Sequence, residues 1–181
     1  NKNNVNFIDL VDNHIGQNGT GVWTINAALD LGVSIPSIYS AVSTRSSSQY
    51  FNYDTGVNLS YDDLKNNLNV NDINLEEIIF FNFACSIFQG LNLIKESNRY
   101  DFFDFNLQDV FIAWSAGCIL QGEYLNFISN EFNINKDLKY KFLYELISKK
   151  CPNIDQIRDF CSTSIKLGIP SPVLSANLAY Y

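Results

Sequence analysis

The sequence predicts an all-α domain, and three observations carry that prediction. Apolar residues recur at helical spacing over most of the 181 residues. Helix punctuation falls at matching places: Asn74 and Asn106 each precede an acidic residue by three positions, and Gly32 and Gly168 each precede a proline by four. No strand–helix–strand alternation occurs, and 9 Gly with 4 Pro supply too little turn chemistry for a many-stranded sandwich. The length suits one domain with its own core.

Taken in order, Val5 to Val11 is a short apolar-rich segment. It leads into Gly16-Gln17-Asn18-Gly19-Thr20-Gly21, where three glycines in six residues oppose both helix and strand interiors. This stretch is expected to be a tight loop, with Trp23 anchoring the helix after it and Thr24 able to cap that helix. Trp23 to Leu31 reads as a short helix with Ile25, Ala28 and Leu29 on one face, and Gly32 ends it. Pro36 opens a second helix, which turns Ile38, Ala41 and Val42 inward and carries Arg45 near its end. Residues 46–71 are polar, with a short helix expected from Tyr61 to Leu68.

Asn74-Leu75-Glu76-Glu77 is a capping box. It introduces a long helix from about Leu75 to Asn98, apolar on most sides through Ile78, Ile79, Phe80, Phe81, Phe83, Phe88, Leu91 and Leu93. Such a helix belongs at the centre of the domain, and Ala84, Cys85, Ser86 and Gly90 would let neighbours approach it closely. Asn106 caps the next helix, expected to run toward Ile128 through Trp114 and Gly117. Amphipathic helices follow at about 137–149 and 153–167, and the last begins at Pro172 and is still running at Tyr181. Leu31-Gly32-Val33-Ser34-Ile35-Pro36 is echoed by Leu167-Gly168-Ile169-Pro170-Ser171-Pro172, with Ser40-Ala41 and Ser175-Ala176 soon after. The echo reflects either local convergence of helix corners on Gly and Pro or an ancient duplication.

Composition excludes several functions. The net charge is −7 and the 12 basic residues form no cluster beyond Lys149-Lys150, which argues against nucleic acid and anionic membranes. The longest apolar run, Ile78 to Phe88, is interrupted by Asn82 and Ser86 and is too short to span a bilayer. Cys85, Cys118, Cys151 and Cys161 show no C-x-x-C spacing, and His14 is the only histidine. Neither a metal site nor a disulfide framework is expected; the cysteines read as buried free thiols of a cytoplasmic protein. Asn18-Gly19-Thr20 and Asn58-Leu59-Ser60 match the glycosylation sequon by chance in such a chain. No methionine occurs, so the chain is expected to be part of a longer protein.

Chemistry concentrates at the glycine stretch. Gly16-x-x-Gly19-x-Gly21 is not the dinucleotide fingerprint, because the spacing is reversed and no strand precedes it. A small-residue loop does expose backbone N–H groups to a polar or anionic ligand. If the helices flanking the Gly32–Pro36 corner pack antiparallel, Arg45 returns to this loop and its planar fork suits phosphate or carboxylate. Otherwise Arg45 is a solvated residue favouring a helix C-terminus. His14 reads as solvent-facing, and Glu76-Glu77 and Asp62-Asp63 read as solvated helix starts.

Gly16-Gln17-Asn18-Gly19-Thr20-Gly21-Val22-Trp23-Thr24 resembles the G-Q-K-G-T-G-K-W-T signature of the 6-phosphogluconate dehydrogenase family. The likeness continues collinearly. Ala28 to Val33 with Pro36, Ala41-Val42-Ser43-Thr44-Arg45 (family A-V-F-A-R), Gln89-Gly90 (A-Q-G), Ile112 to Leu120 (I-W-R-G-G-C-I-I) and Gly168 to Tyr181 all resemble family segments. The resemblance implies the all-helical C-terminal domain of that family, spanning 1–181 as a single substrate-binding and dimerisation unit with a long central helix and an internal duplication. It implies an NADP-dependent oxidative decarboxylation of 6-phosphogluconate to ribulose 5-phosphate in the pentose phosphate pathway. By the same resemblance, the cofactor domain, the catalytic lysine and glutamate, and the extreme C-terminal tail lie outside this chain. Thr24 and Arg45 are implied as phosphate contacts, with Gly19, Thr20 and Gly21 shaping the pocket. Four positions depart from the family pattern, and each removes positive charge: Asn18 and Val22 for lysines, Ser115 and Gln121 for arginines. Two alternatives therefore stand beside the phosphate reading: a dehydrogenase for an unphosphorylated sugar acid, and a non-catalytic relative kept as an assembly module.

Overall fold

A 23-residue helix organises the domain. The computed structural model describes residues 10–11, 15–16, 18–48, 74–100 and 103–181, and every regular element among them is helical. The helices are α1 (Thr20–Leu31), α2 (Pro36–Ser47), α3 (Leu75–Ser97), α4 (Leu107–Ser115), α5 (Glu123–Asn135), α6 (Tyr140–Lys150), α7 (Ile154–Lys166) and α8 (Pro172–Tyr180). The helix expected at 61–68, the paired Asp62-Asp63, the Asn58 sequon, His14, Gln17 and all of the 5–11 segment except Leu10 and Val11 lie outside the described residues.

The capping predicted for α3 is present. Asn74 Oδ1 accepts from the N–H groups of Glu76 and Glu77, at 3.1 and 3.4 Å, and Asn74 Nδ2 donates to Glu77 Oε1 at 2.7 Å. Asn106 caps α4 in the same way, its Oδ1 accepting from Gln108 N–H at 3.0 Å. α3 packs against α1, α2, α4, α5, α6 and α8, so Phe80, Phe81, Ala84, Cys85, Phe88 and Leu91 are all buried. As a whole helix it is long and apolar enough to cross a membrane by length and composition. Here those apolar faces are covered by neighbouring helices, as in a core helix. Ile79 is the exception to the expected apolar ring: it faces outward between two buried positions. At Gly90 the helix meets the Trp114 ring, 3.7 Å from where a Cβ would sit.

The expected single helix from Asn106 toward Ile128 is two helices. α4 stops at Ser115 because Gly117 (φ 108) and Gly122 (φ 149) take backbone angles that end a helix, and α5 restarts at Glu123. The last helix runs through Tyr180, and Tyr181 N–H still bonds to Asn177 O at 2.9 Å, so the helical bonding reaches Tyr181 as expected.

The repeated Gly–Pro corners are the same backbone unit used twice. Gly32 (φ 67) and Gly168 (φ 73) both sit in the left-handed region. The residue after each glycine bonds back to the preceding helix: Val33 N–H to Ala28 O and Ile169 N–H to Ser164 O, both at 2.8 Å. Ala28 and Ser164 are both buried. The residues before the prolines also agree, with φ −132, ψ 54 at Ile35 and φ −133, ψ 53 at Ser171. The Ser-Ala pairs are not equivalent, since Ser40 follows its proline by four residues and Ser175 by three. α2 and α8, the second helices of the two corners, pack against each other. Because both glycines need the same positive φ, Gly32→Ala and Gly168→Ala are each expected to destabilise by about 1 kcal/mol. Urea denaturation of the two variants measures this, and closely similar losses are the expected result.

Candidate functional site

α1 begins three residues earlier than the glycines suggest. Gly19 adopts φ 83 as the N-cap, and Trp23 N–H donates to Gly19 O at 3.1 Å, so Thr20 and Gly21 are already helical. Of the described residues in this stretch, Ile15, Gly16, Asn18 and Gly19 lie outside the helix. Thr24 is therefore inside the helix and is not a cap; its hydroxyl donates to Thr20 O at 2.9 Å. Trp23 does not anchor the segment, being 70% exposed. Leu29 is 75% exposed and lies off the packing face, which runs through Gly21, Thr24, Ile25, Ala28 and Leu31. On α2 the inward side is Ser37, Ile38 and Val42, and Ala41 faces solvent.

Gly21 sets how closely α1 and α2 approach. A Cβ there would lie 2.6 Å from Val42 Cγ2, well inside contact distance. With the helices this close, the Gly32–Pro36 corner folds Arg45 back to the loop: its Nε donates to Gly16 O at 2.6 Å. Ser48 completes the attachment, donating from Oγ to Arg45 O at 2.7 Å and accepting from Ile15 N–H at 3.3 Å. The antiparallel return posed as a condition in the sequence is the arrangement found.

A cleft of about 70 Å³ results, lined by Asn18, Gly19, Thr20, Gly21, Val42 and Arg45. Of the five residues expected to bind substrate, Gly19, Thr20, Gly21 and Arg45 come together here, and the Thr24 side chain turns back into α1. Asn18 and Val42 join the lining, and Gly16 contributes the carbonyl that orients the guanidinium. Val42 was detectable as the residue one turn before Arg45 on the same helix face. The opening turn of α1 has no side-chain cap, so the N–H groups of Thr20, Gly21 and Val22 lack intrahelical acceptors at the mouth of the cleft. Helix dipole and guanidinium thus place positive potential on one small polar pocket, which suits an anionic group.

Other groups offer little competing chemistry. No set of three or more His, Cys, Asp or Glu side chains is grouped for a metal among the described residues. All four cysteines are free thiols. Burial raises the pKa of Cys85, with Cys151 adding to it, and burial pushes Cys151 up to about 12. Cys151 Sγ donates to Glu77 O at 3.3 Å, and Cys161 Sγ lies 3.2 Å from Ser175 Oγ. Glu76 and Glu77 occupy the first turn of α3, as solvated helix starts do.

The fold and this cleft define a class: an all-helical domain in which the first of two matching helix corners returns an arginine to a glycine-rich helix start. The family model described as "6-phosphogluconate dehydrogenase, C-terminal domain" matches residues 1–181, and the chain belongs to that family. It is 29% identical to the decarboxylating 6-phosphogluconate dehydrogenase of Lactococcus lactis over 189 residues, covering 97% of this chain and 38% of the relative. It is 26% identical to the Synechocystis enzyme of the same name over 185 residues, covering 97% of this chain and 37% of that one. Among solved structures it is similar to Plasmodium falciparum 6-phosphogluconate dehydrogenase, with TM-score 0.73 and 26% identity. That match covers 96% of this chain and 39% of the other, which was solved apo, with its cofactor NADP+ and with its substrate 6-phosphogluconate. The chain therefore spans under two fifths of the length of these relatives.

Two measurements test the site's packing. Gly21→Ala is expected to cost about 1–2 kcal/mol by overpacking Val42, despite alanine's better helix propensity. A thermal melt that rises instead would contradict the close approach. Because the neutral thiol is favoured, Cys85 and Cys151 are expected to stay unreactive toward an aromatic disulfide at mildly alkaline pH while half-buried Cys118 reacts. Mass spectrometry of the labelled peptides reads the order.

Proposed function

We propose that this chain is the C-terminal, substrate-binding part of a decarboxylating 6-phosphogluconate dehydrogenase. In this reading the cleft at the start of α1 receives the phosphate of 6-phosphogluconate. The single observation that carries it is the return of Arg45 to the glycine-rich helix start, held by the Gly16 carbonyl. The orphan N–H groups of Thr20, Gly21 and Val22 would donate to phosphate oxygens, and the two terminal nitrogens of Arg45 would form a charge-assisted pair with them. Family membership and the substrate named for the Plasmodium falciparum structure support the choice of phosphate ester.

NADP is the cofactor of this reading, supplying hydride acceptance when bound. The described residues contain no strand and hence no βαβ unit to hold it. No catalytic residue is assigned to this chain; its residues bind and orient. Residues 1–181 act as one unit in a soluble, cytoplasmic homodimer, a role to which the exposed apolar residues Trp23, Leu29, Ile112 and Ile119 lend support. A second reading is favoured by Asn18 and Val22, which put no charge beside the cleft: the substrate is then an unphosphorylated sugar acid.

Calorimetry with 6-phosphogluconate, gluconate and inorganic phosphate separates the readings. The phosphate reading expects 6-phosphogluconate to bind more tightly than gluconate. It also expects Arg45→Ala to weaken 6-phosphogluconate by about ten- to hundred-fold, and Val22→Lys to tighten it by about tenfold. Equal affinity for both sugar acids, indifferent to Arg45→Ala, would sink it.

A further inference from the structure

The interior holds a chain of side-chain amides that no part of the substrate reading uses. Gln89 on α3 and Asn177 on α8 are both fully buried at 0% exposure, and Ser37 at the start of α2 is buried with them. Ser37 donates to Gln89 Oε1 twice, from its N–H at 3.1 Å and its hydroxyl at 2.8 Å. Gln89 Nε2 donates to Asn177 Oδ1 at 3.2 Å, and Asn177 Nδ2 to Asn82 Oδ1 at 2.9 Å. Asn82 Nδ2 ends the chain on Ile78 O at 2.9 Å. One end is a backbone donor and the other a backbone acceptor, so the polarity of every amide between them is dictated. Turning any one of them sets oxygen against oxygen or nitrogen against nitrogen. Ser86 Oγ, 3.1 Å from Ser37 Oγ, fits as a further donor, since the Ser37 hydroxyl proton is committed to Gln89.

The chain has a mechanical consequence. α2 lacks a side-chain cap of its own, because Ile35 stands at the N-cap position. Its orphan N–H at Ser37 is capped from another helix, by Gln89. That bond fixes the axial position of α2 on α3. Arg45 lies eight residues further along the same helix, about 12 Å at 1.5 Å per residue. Val42, pressed against Gly21 one turn before Arg45, leaves little room for α2 to slide or rotate.

We infer that Gln89 is a positioning residue for Arg45: through Ser37 it sets the register of α2 that brings the guanidinium to Gly16 and the cleft. The inference rests on the phosphate reading only for its functional meaning. The positioning itself is read from the Arg45 Nε–H, which the Gly16 carbonyl holds in the unmodified chain.

The test uses the whole chain at a temperature where every variant is folded by circular dichroism. Gln89→Met keeps the shape of the side chain and removes its hydrogen bonds to both neighbours. Asn177→Leu leaves the Gln89 amide without its acceptor. Each is expected to speed hydrogen exchange at Arg45 Nε–H by about tenfold or more, followed by nitrogen-15 NMR at mildly acidic pH, and to weaken 6-phosphogluconate about tenfold. Leu146→Ala on α6, which packs against α3 and α5, lowers stability without touching the amide chain and is expected to leave both readouts unchanged. Wild-type exchange at Arg45 Nε–H in both amide variants overturns the inference, as does an equal change in Leu146→Ala. If neither amide variant folds, the Ser37 amide of the unmodified chain decides: exchange as slow as the core amides of α3 supports the cap, and rapid exchange overturns it. Should the unmodified chain bind no 6-phosphogluconate, the phosphate reading fails while the exchange comparison still judges the positioning.

Discussion

A buried amide must be paired on both its oxygen and its nitrogen, and Gln89 meets that demand by binding two other helices at once. Its position on α3 faces the start of α2 on one side and the middle of α8 on the other. A half-satisfied group in this place would cost more than an apolar residue, so the arrangement stands only when all three helices are in register. The apolar core packs around a frame whose angles these bonds define. Among the buried phenylalanines of α3, Phe80 packs on Tyr124 of α5 with ring centroids 5.4 Å apart, Phe81 on Tyr181 at 5.7 Å, and Phe88 on Tyr140 of α6 and Tyr180 of α8 at 6.5 Å. Hydrophobic burial supplies most of the drive, and the polar chain supplies uniqueness.

The cleft inherits this frame. In a protein of net charge −7, a single arginine at the start of α1 has an effect that its exposure alone would not give it. The Gly16 carbonyl occupies Nε, leaving the outer face of the guanidinium for a ligand, and the uncapped turn of α1 adds its dipole from the other side. Gly21 is the smallest residue at the tightest place, and its lack of a side chain is what lets the two sources of positive potential meet.

Much of this is legible in the sequence, and the differences have physical causes. Asn74, Asn106, Gly32 and Pro36 act locally, through bonds to near neighbours in the chain, so their roles follow from spacing alone. The return of Arg45 depends on how the corner folds, so the sequence states it only as a condition. Trp23 misleads because its size suggests burial, whereas α1 packs through its small residues and leaves the indole outside. The break at Gly117 to Gly122 is hidden because glycine inside an apolar run reads equally well as close helix packing, which is what Gly90 does. Gln89 and Asn177 are invisible as partners, since nothing in one sequence announces a bond between residues so far apart.

The twin corners carry a consequence for how the chain reaches this state. Each corner joins helices adjacent in sequence, α1 with α2 and α7 with α8, and such local contacts form early and cheaply. The contact between α2 and α8 instead joins helices from opposite ends of the described chain. Closing a loop of that length costs about 4 kcal/mol of chain entropy before any packing repays it. Each hairpin closes on local contacts, and the α2–α8 contact between them is the costly long-range closure of the fold.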